Sequence, residues 1–339
     1  MNDGAFDPPS GTPDPALRGL EAQLAEFERA GDHAAAASAL AAIGVLLRDA
    51  GHRPEAIRAF EAALDRARRA GPAPDPEVVL HLIRDLAMLL RLEGAWGRAR
   101  ELYLEACRMA EAAGDRAGLA ETLAAMGDLH YANREWEQAL LQYDGARRIR
   151  EALGSREGLA RIWNNIGGSL ARMGDPQGAL AAFRTSQEIQ ESLGDRMALS
   201  ITLGNIGSVL HGEGRLREAQ DHLERAAGIQ EELGEAQACA GTLNVLGTVQ
   251  KKLGNLPGAL TAYARTRDLM AAAGDEGRAT VAMYNMAILH EERREYREAL
   301  ALLEEVVRIE TRRSHPDLPH DREALERVRW KLSAENPTP

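Results

Sequence analysis

One feature constrains the fold more than any other: the chain repeats itself. Seven times a small residue follows an apolar one, at Gly44, Ala87, Gly127, Gly167, Gly207, Gly247 and Ala287. The first interval is 43 residues and the next five are 40. The longer interval is accounted for by three extra residues in the stretch Gly71-Pro72-Ala73-Pro74-Asp75-Pro76. Twelve residues after each small residue stands an alanine, without exception: Ala56, Ala99, Ala139, Ala179, Ala219, Ala259 and Ala299. Sixteen residues after it stands a large apolar residue: Phe60, Tyr103, Tyr143, Phe183, Leu223, Tyr263 or Leu303. A fixed period of this length is the signature of a stacked array.

Each copy reads as two helices. In the first, apolar residues flank the small one at helical spacing, as with Trp163, Ile166 and Leu170 around Gly167, which makes one helix face. The small residue sits on that face, where a neighbouring backbone could come close. A turn follows, often at a glycine (Gly51, Gly94, Gly174, Gly214, Gly254). The second helix places the alanine and the large residue four apart, again on one face. It ends at a glycine followed by an acidic or hydroxyl residue, at Gly114, Gly154, Gly194, Gly234 and Gly274, with a further copy at Gly31. Glycine suits the left-handed C-cap and the residue after it suits the next N-cap. Two helices alone cannot bury these faces, whereas stacked copies can.

These residues resemble the tetratricopeptide repeat: an aliphatic before a small residue, an alanine at a tight helix crossing, and often an aromatic four residues on, as in "NNIGGSLARMGDPQGAL" and "ALLQYDGARRIREALG". The resemblance runs over residues 33–313. The unit departs from the family's usual length of about 34 residues, glycine replaces the proline that often ends the second helix, and leucine (Leu47, Leu90, Leu170, Leu210) replaces the aromatic near the end of the first. In these respects it is similar to the long-unit variant of LGN/Pins-type adaptors and bacterial arrays. The resemblance implies an all-α, right-handed α-solenoid of seven helix-turn-helix units. The expected organisation is a disordered tail over 1–15, a solenoid over 16–313 opened by a capping helix at Ala16–Ala30, a turn and C-terminal capping helix over 314–333 with Trp330 packed inward, and a disordered tail over 334–339.

Composition narrows the chemistry. The formal net charge is −11 with 4% aromatic residues, which argues against a general binder of nucleic acid or anionic membrane. Two distant cysteines, Cys107 and Cys239, make neither a metal motif nor a disulfide framework and read as small hydrophobes. With no secretory h-region and no apolar run of membrane length, a cytoplasmic protein is expected. No nucleotide, hydrolase, zincin or redox motif occurs, so no enzyme, cofactor or metal is expected. His315 and His320 read as an exposed turn, and His130 and His290 as partly buried packing residues. Trp96, Trp136 and Tyr296 read as a packing stripe. The clusters Arg66, Arg68, Arg69 and Arg308, Arg312, Arg313 read as solvated convex surface.

The asparagines stand out, because asparagine is a mediocre helix former. Asn165 recurs as Asn205 and Asn285, and Asn164 as Asn244. The resemblance implies that this flank of the first helices lines a concave groove and touches a bound peptide. The same flank in the fourth to sixth copies carries Arg161, Gly168, Arg172, Ser208, His211, Thr248, Lys251 and Lys252, with no carboxylate. The other copies carry Asp49, Asp85, Glu121, Asp128, Glu291 and Glu292. A polar, positive mid-groove would suit a peptide or protein segment bearing acidic groups. The asparagines could equally form a structural ladder between copies. The expected function is a non-enzymatic adaptor or scaffold binding such a segment, the alternative being a sensor of small signalling peptides.

Overall fold

A computed structural model of the chain describes residues 15–70 and 76–335. The expected tails and the insertion around Pro72 and Pro74 lie largely outside these residues. Where they reach inside, the chain is helical, since Pro15 opens the first helix and Glu335 closes the last. Among the described residues the structure consists of helices and the turns between them, with no strand, and forms two compact units. The first contains α1 (Pro15–Ala30), α2 (His33–Asp49), α3 (Arg53–Arg69), α4 (Pro76–Leu92), α5 (Trp96–Ala113), α6 (Arg116–Ala132), α7 (Trp136–Leu153) and α8 (Arg156–Arg172). The second contains α9 (Pro176–Leu193), α10 (Arg196–Gly212), α11 (Leu216–Glu232), α12 (Ala236–Lys252), α13 (Leu256–Ala272), α14 (Glu276–Glu292), α15 (Tyr296–Arg313) and α16 (Leu318–Glu335). Even-numbered helices from α2 to α14 are the first helices of the seven copies, and odd-numbered helices from α3 to α15 are the second. Within each unit, consecutive helices pack as antiparallel neighbours, the fold of an all-α helical-repeat solenoid.

The recurring residues form the core layer. All seven alanines and all seven large residues are buried. Because the small residue shares a face with them, its size sets how near the two helices of a copy come. What approaches it is chiefly the large side chain of its partner helix, rather than backbone. A Cβ added at Gly127 would stand 2.4 Å from the Tyr143 ring, and one at Gly247 would stand 2.7 Å from the Tyr263 ring. Where the residue is Ala87 or Ala287, the backbones of the paired helices approach less closely.

Caps separate the copies. Asp32, Asp115, Asp195 and Asp275 each accept a hydrogen bond from the backbone N–H three residues on. Ser155 and Glu235, in equivalent places, make no such bond; Ser155 Oγ instead lies 3.2 Å from Arg150 Nη1 and accepts from it, and glutamate's longer side chain is a poorer N-cap. The turn inside a copy needs a left-handed residue. Five copies supply glycine, but the third and seventh supply Arg134 (φ 62°) and Arg294 (φ 63°). A non-glycine residue there costs about 1–2 kcal/mol, partly offset by the entropy glycine would lose on folding. Arg134→Gly and Arg294→Gly are each expected to raise stability by about 0.5–1 kcal/mol, measured as a higher midpoint in urea.

At the ends, α1 buries Leu17 and Leu24 against α2 and α3, and α16 buries Ala324, Leu325 and Val328 against α15. Helix α16 starts at Leu318, inside the stretch expected to be a turn, because Pro319 falls in its first turn where a missing N–H costs nothing. Trp330 points outward, 69% exposed. It lies nine residues after the buried Asp321, half a rotation round the helix, so the face that buries Asp321 cannot also bury Trp330.

Candidate functional site

The flank singled out from the sequence divides between the two units. In the first, α8 presents Arg161, Asn164, Asn165, Gly168 and Arg172. Asn165 Nδ2 donates to Asp128 Oδ1 of α6 at 2.9 Å, and the Tyr143 hydroxyl donates to the same oxygen at 2.7 Å. Burial raises the Asp128 carboxyl above its usual range, opposed by the Tyr143 hydrogen bond and the charges of Arg161 and Arg91. Gly168 faces the Tyr131 ring, and Arg172 Nε reaches the Tyr131 hydroxyl at 3.4 Å. Asn164 is half-buried and Arg161 is exposed.

In the second unit, α10 presents Asn205, Ser208 and His211, α12 presents Asn244, Thr248, Lys251 and Lys252, and α14 presents Asn285. Asn285 Nδ2 donates to Asn244 Oδ1 at 3.2 Å. The hydroxyls of Thr248 and Tyr263 bond to each other at 3.0 Å. Lys251 pairs with Glu292 at 2.7 Å. Ser208 is exposed and donates to the Gly204 carbonyl. Burial, then the Lys252 charge, pushes the His211 imidazole below its usual pKa, and its Nε2 is buried without a hydrogen-bond partner. Both effects favour the neutral imidazole.

Asn165 and Asn285 thus tie one first helix to the next within their units. They belong to a longer series on this flank. Arg48 faces Asp85 at 3.9 Å, Arg84 bonds Glu121, and Arg327 and Lys331 hold Glu291 at 2.9 and 2.8 Å. The expected positive character is correspondingly thinner, since Lys251 is neutralised by Glu292. Among the described residues, Arg161, Arg172 and Lys252 have no ion-pair partner, and Arg172 bonds only the Tyr131 hydroxyl. Removing the amide of Asn165 leaves a half-buried carboxylate with one donor fewer, so Asn165→Ala is expected to cost about 1–2 kcal/mol in thermal or urea unfolding.

Sequence reasoning missed two residues on the same flank. Ile201 of α10 and Val281 of α14 are 43% and 53% exposed. Both stand six residues before the small residue of their copy, a position filled by Gly241 in α12 and by Ser38, His81, Glu121 and Arg161 in the first unit. An aliphatic at a position that elsewhere holds a polar residue or glycine was the available signal. The arginine clusters are not simply solvated. Arg66 holds Glu28 at 2.8 Å, Arg68 holds Glu105 at 2.6 Å and Arg312 holds Glu276 at 3.1 Å. His130 is buried and His290 partly buried, and they bond Glu135 and Glu295 across the turn, at 2.5 and 2.7 Å. Burial pushes the Cys107 thiol up to about 11 and raises that of Cys239, so neither is a ready nucleophile. Among the described residues no cluster of His, Cys, Asp and Glu is arranged to hold a metal, and no helix is long and apolar enough to cross a membrane.

Comparison with known proteins agrees with this architecture. Sequence models of the tetratricopeptide repeat match residues 36–70, 158–232 and 238–311, together more than half of the chain. No curated protein matches by sequence. Among solved structures, a Signal Transduction ATPase with Numerous Domains (STAND) protein with a tetratricopeptide repeat sensor, from Pyrococcus horikoshii, is similar at TM-score 0.70 and 15% identity over 94% of this chain and 52% of that one. This chain therefore spans about half of that protein. BtubC (BKLC) from P. vanneervenii is similar at TM-score 0.55 and 22% identity, over 75% of this chain and 92% of its own. A Rap protein complexed with Competence and Sporulation Factor is similar at TM-score 0.55 and 17% identity, over 94% of this chain and 100% of its own. These likenesses concern the fold. With the forty-residue period, the buried alanine layer and the matched repeat models together, the chain belongs to the tetratricopeptide-repeat family.

Proposed function

We propose that the chain is a non-catalytic interaction module that holds an amphipathic peptide or protein segment along α10, α12 and α14. The observation that carries this reading is the exposure of Ile201 and Val281 in register, beside a polar row of Ser208, His211, Thr248 and Lys252. Single exposed aliphatics are ordinary, but two at one repeat position, with Gly241 leaving room between, make a stripe that water covers at a cost. A bound segment would lay its apolar side on that stripe and a carboxylate against Lys252. Asn205 and Asn244 stand on the same flank with amide groups able to donate and accept. The likeness to a Rap protein complexed with Competence and Sporulation Factor supports a repeat surface of this kind as a receptor for a small partner.

Panning a displayed peptide library against the purified chain tests the reading. The expected selection is amphipathic sequences carrying Asp or Glu. Ile201→Ser combined with Val281→Ser should weaken the selected peptides by about tenfold or more with the melting temperature unchanged. Lys252→Glu should remove the acidic preference. Selected peptides that bind all three proteins equally would defeat the proposal. A sensor of small signalling peptides would use the same surface and would also change the chain's radius of gyration on binding, which X-ray scattering measures.

A further inference from the structure

A cavity of about 440 Å³ opens in the second unit between α14, α15 and α16. Its apolar floor is Val306, and one wall is the Tyr284 ring with His320 stacked on it, centroids 5.4 Å apart at 39°. Two carboxylates line it from different helices. Glu310 of α15 is 3% exposed and Asp321 of α16 is 6% exposed. One oxygen of Glu310 accepts from the Thr280 hydroxyl, with Arg313 Nη1 3.5 Å away. The other, Oε2, is buried and accepts no hydrogen bond, although His315 Nδ1 stands 3.5 Å from it. Burial and then the charge of Glu310 hold the Asp321 carboxyl above its usual range.

Repeat packing does not require this acid. The positions equivalent to Glu310 in the other six copies are Ala67, Ala110, Arg150, Gln190, Gln230 and Met270. A buried carboxylate oxygen without a partner is costly, and a pair of them facing one space is costlier. The lining carries four carboxylates, including Asp275 and Asp317, against two arginines that are both engaged, Arg278 with Asp275 and Arg313 with Glu310, each at 3.5 Å, while the His315 and His320 imidazoles stand 3.5 and 3.9 Å from Glu310 and Asp321. The unmet need of the cavity is therefore a cation with N–H donors and an aliphatic stem.

We propose that this cavity receives an alkyl-ammonium or alkyl-guanidinium group, with Glu310 and Asp321 taking its charge and the Tyr284 ring covering its face. Charge-assisted hydrogen bonds would reach the open Glu310 oxygen, the aromatic wall adds a cation–π contact, and Val306 packs against the stem. The cavity shares Val281 with the exposed stripe, but its carboxylates stand on α15 and α16, so Glu310→Gln here and Ile201→Ser or Lys252→Glu there let either proposal fail alone. Its ligand could be a free amine or the side chain of a basic residue in a partner, and the two sources are separable by experiment.

The test is calorimetric titration of the full chain with putrescine, agmatine, N-acetyl-arginine methylamide and N-acetyl-lysine methylamide, with the citrulline analogue as a neutral control. The expected result is one-site binding of at least one cation with a Kd below about 1 mM and none of the citrulline compound. Glu310→Gln should weaken it by about tenfold or more. This variant keeps the shape of the side chain, and glutamine already fills the position as Gln190 and Gln230. Asp321→Asn should weaken it independently. Binding of the free diamine or agmatine identifies a small amine as the ligand, and binding of the blocked amino acids alone identifies a side chain. Absence of saturable binding up to 10 mM for every cation (roughly 3 kcal/mol of affinity or less), or binding unchanged in a folded Glu310→Gln protein, overturns the proposal.

Discussion

Replacing Tyr143 by alanine is expected to cost about 3–5 kcal/mol of unfolding free energy, the range for emptying an aromatic site in a packed core. Urea unfolding would show it as a lower midpoint at unchanged slope. The ring is fully buried and fills the space left by the absent side chain of Gly127, so no neighbouring side chain stands ready to collapse into the cavity. Tyr143→Phe isolates the hydroxyl. It keeps the ring and removes one donor from Asp128, for an expected cost of about 1–2 kcal/mol. The pH dependence of that smaller loss follows from Asp128, whose folded-state pKa lies above its ordinary 3.8. Its ionised form opposes folding at neutral pH, and that penalty disappears once acid protonates the carboxyl in both states. Losing the Tyr143 donor enlarges the penalty. The deficit of Tyr143→Phe relative to the parent should therefore be largest at pH 7 and shrink as the pH falls toward 4. A deficit independent of pH would mean that the hydroxyl does nothing for Asp128.

Tyr143 also shows which part of this molecule can be read from its sequence. Its place in the core is legible because it recurs: the same slot holds Phe60, Tyr103, Phe183, Leu223, Tyr263 and Leu303, and repetition within one chain serves as its own control. The bond from its hydroxyl to Asp128 is not legible, because only one copy has that pair. The asparagines show the same divide. Their recurrence is visible in the sequence, but their partners sit on the neighbouring first helix, 37 residues back for Asn165 and 41 back for Asn285. Both offsets fall beside the period of forty rather than on it, because facing side chains on adjacent helices interdigitate. Complementary pairs at those offsets were present in the sequence, as with Arg84 and Glu121 or Lys251 and Glu292. Reading them required knowing which faces meet. Trp330 failed for a related reason. Hydrophobicity argued for burial, yet the inward face of α16 is fixed by Ala324, Leu325 and Val328 together with a buried aspartate. No apolar pattern announces an Asp that points inward, which is also why the Glu310 and Asp321 cavity is invisible before the fold is known.

Glu291 gives the second large effect, and it concerns how the last helix is held. The carboxylate is buried, and Arg327 of α16 grips both of its oxygens, at 2.9 and 3.0 Å, while Lys331 adds a third contact at 2.8 Å. The Arg327 hydrogen bonds foremost, then those of Lys331 and the charges of both, outweigh burial and hold its pKa down to about 2, from an ordinary 4.5. A carboxyl with a depressed folded-state pKa adds stability that is complete above its unfolded pKa and is lost as the pH falls through its folded one. The loss should therefore develop between about pH 4.5 and pH 2. Unscreened, a shift of this size corresponds to about 3 kcal/mol. Because Arg327 and Lys331 are both near half exposed, solvent reduces it to about 1–2 kcal/mol. Helix α16 is the terminal element and contributes only Ala324, Leu325 and Val328 to the apolar core beneath it, so this network is a large share of its attachment. Protection of α16 amides, measured relative to their intrinsic exchange rate, should fall on acidification before that of α10 or α12, and Glu291→Gln should show the lower protection already at pH 7. Such a variant, with a neutral side chain in place of the carboxylate, should also lose the parent's extra sensitivity between pH 4.5 and 2. If α16 in the parent exchanges at the same relative rate at pH 3 as at pH 7, the ion triad does not hold it. The apolar contacts of Leu325 and Val328 would then suffice.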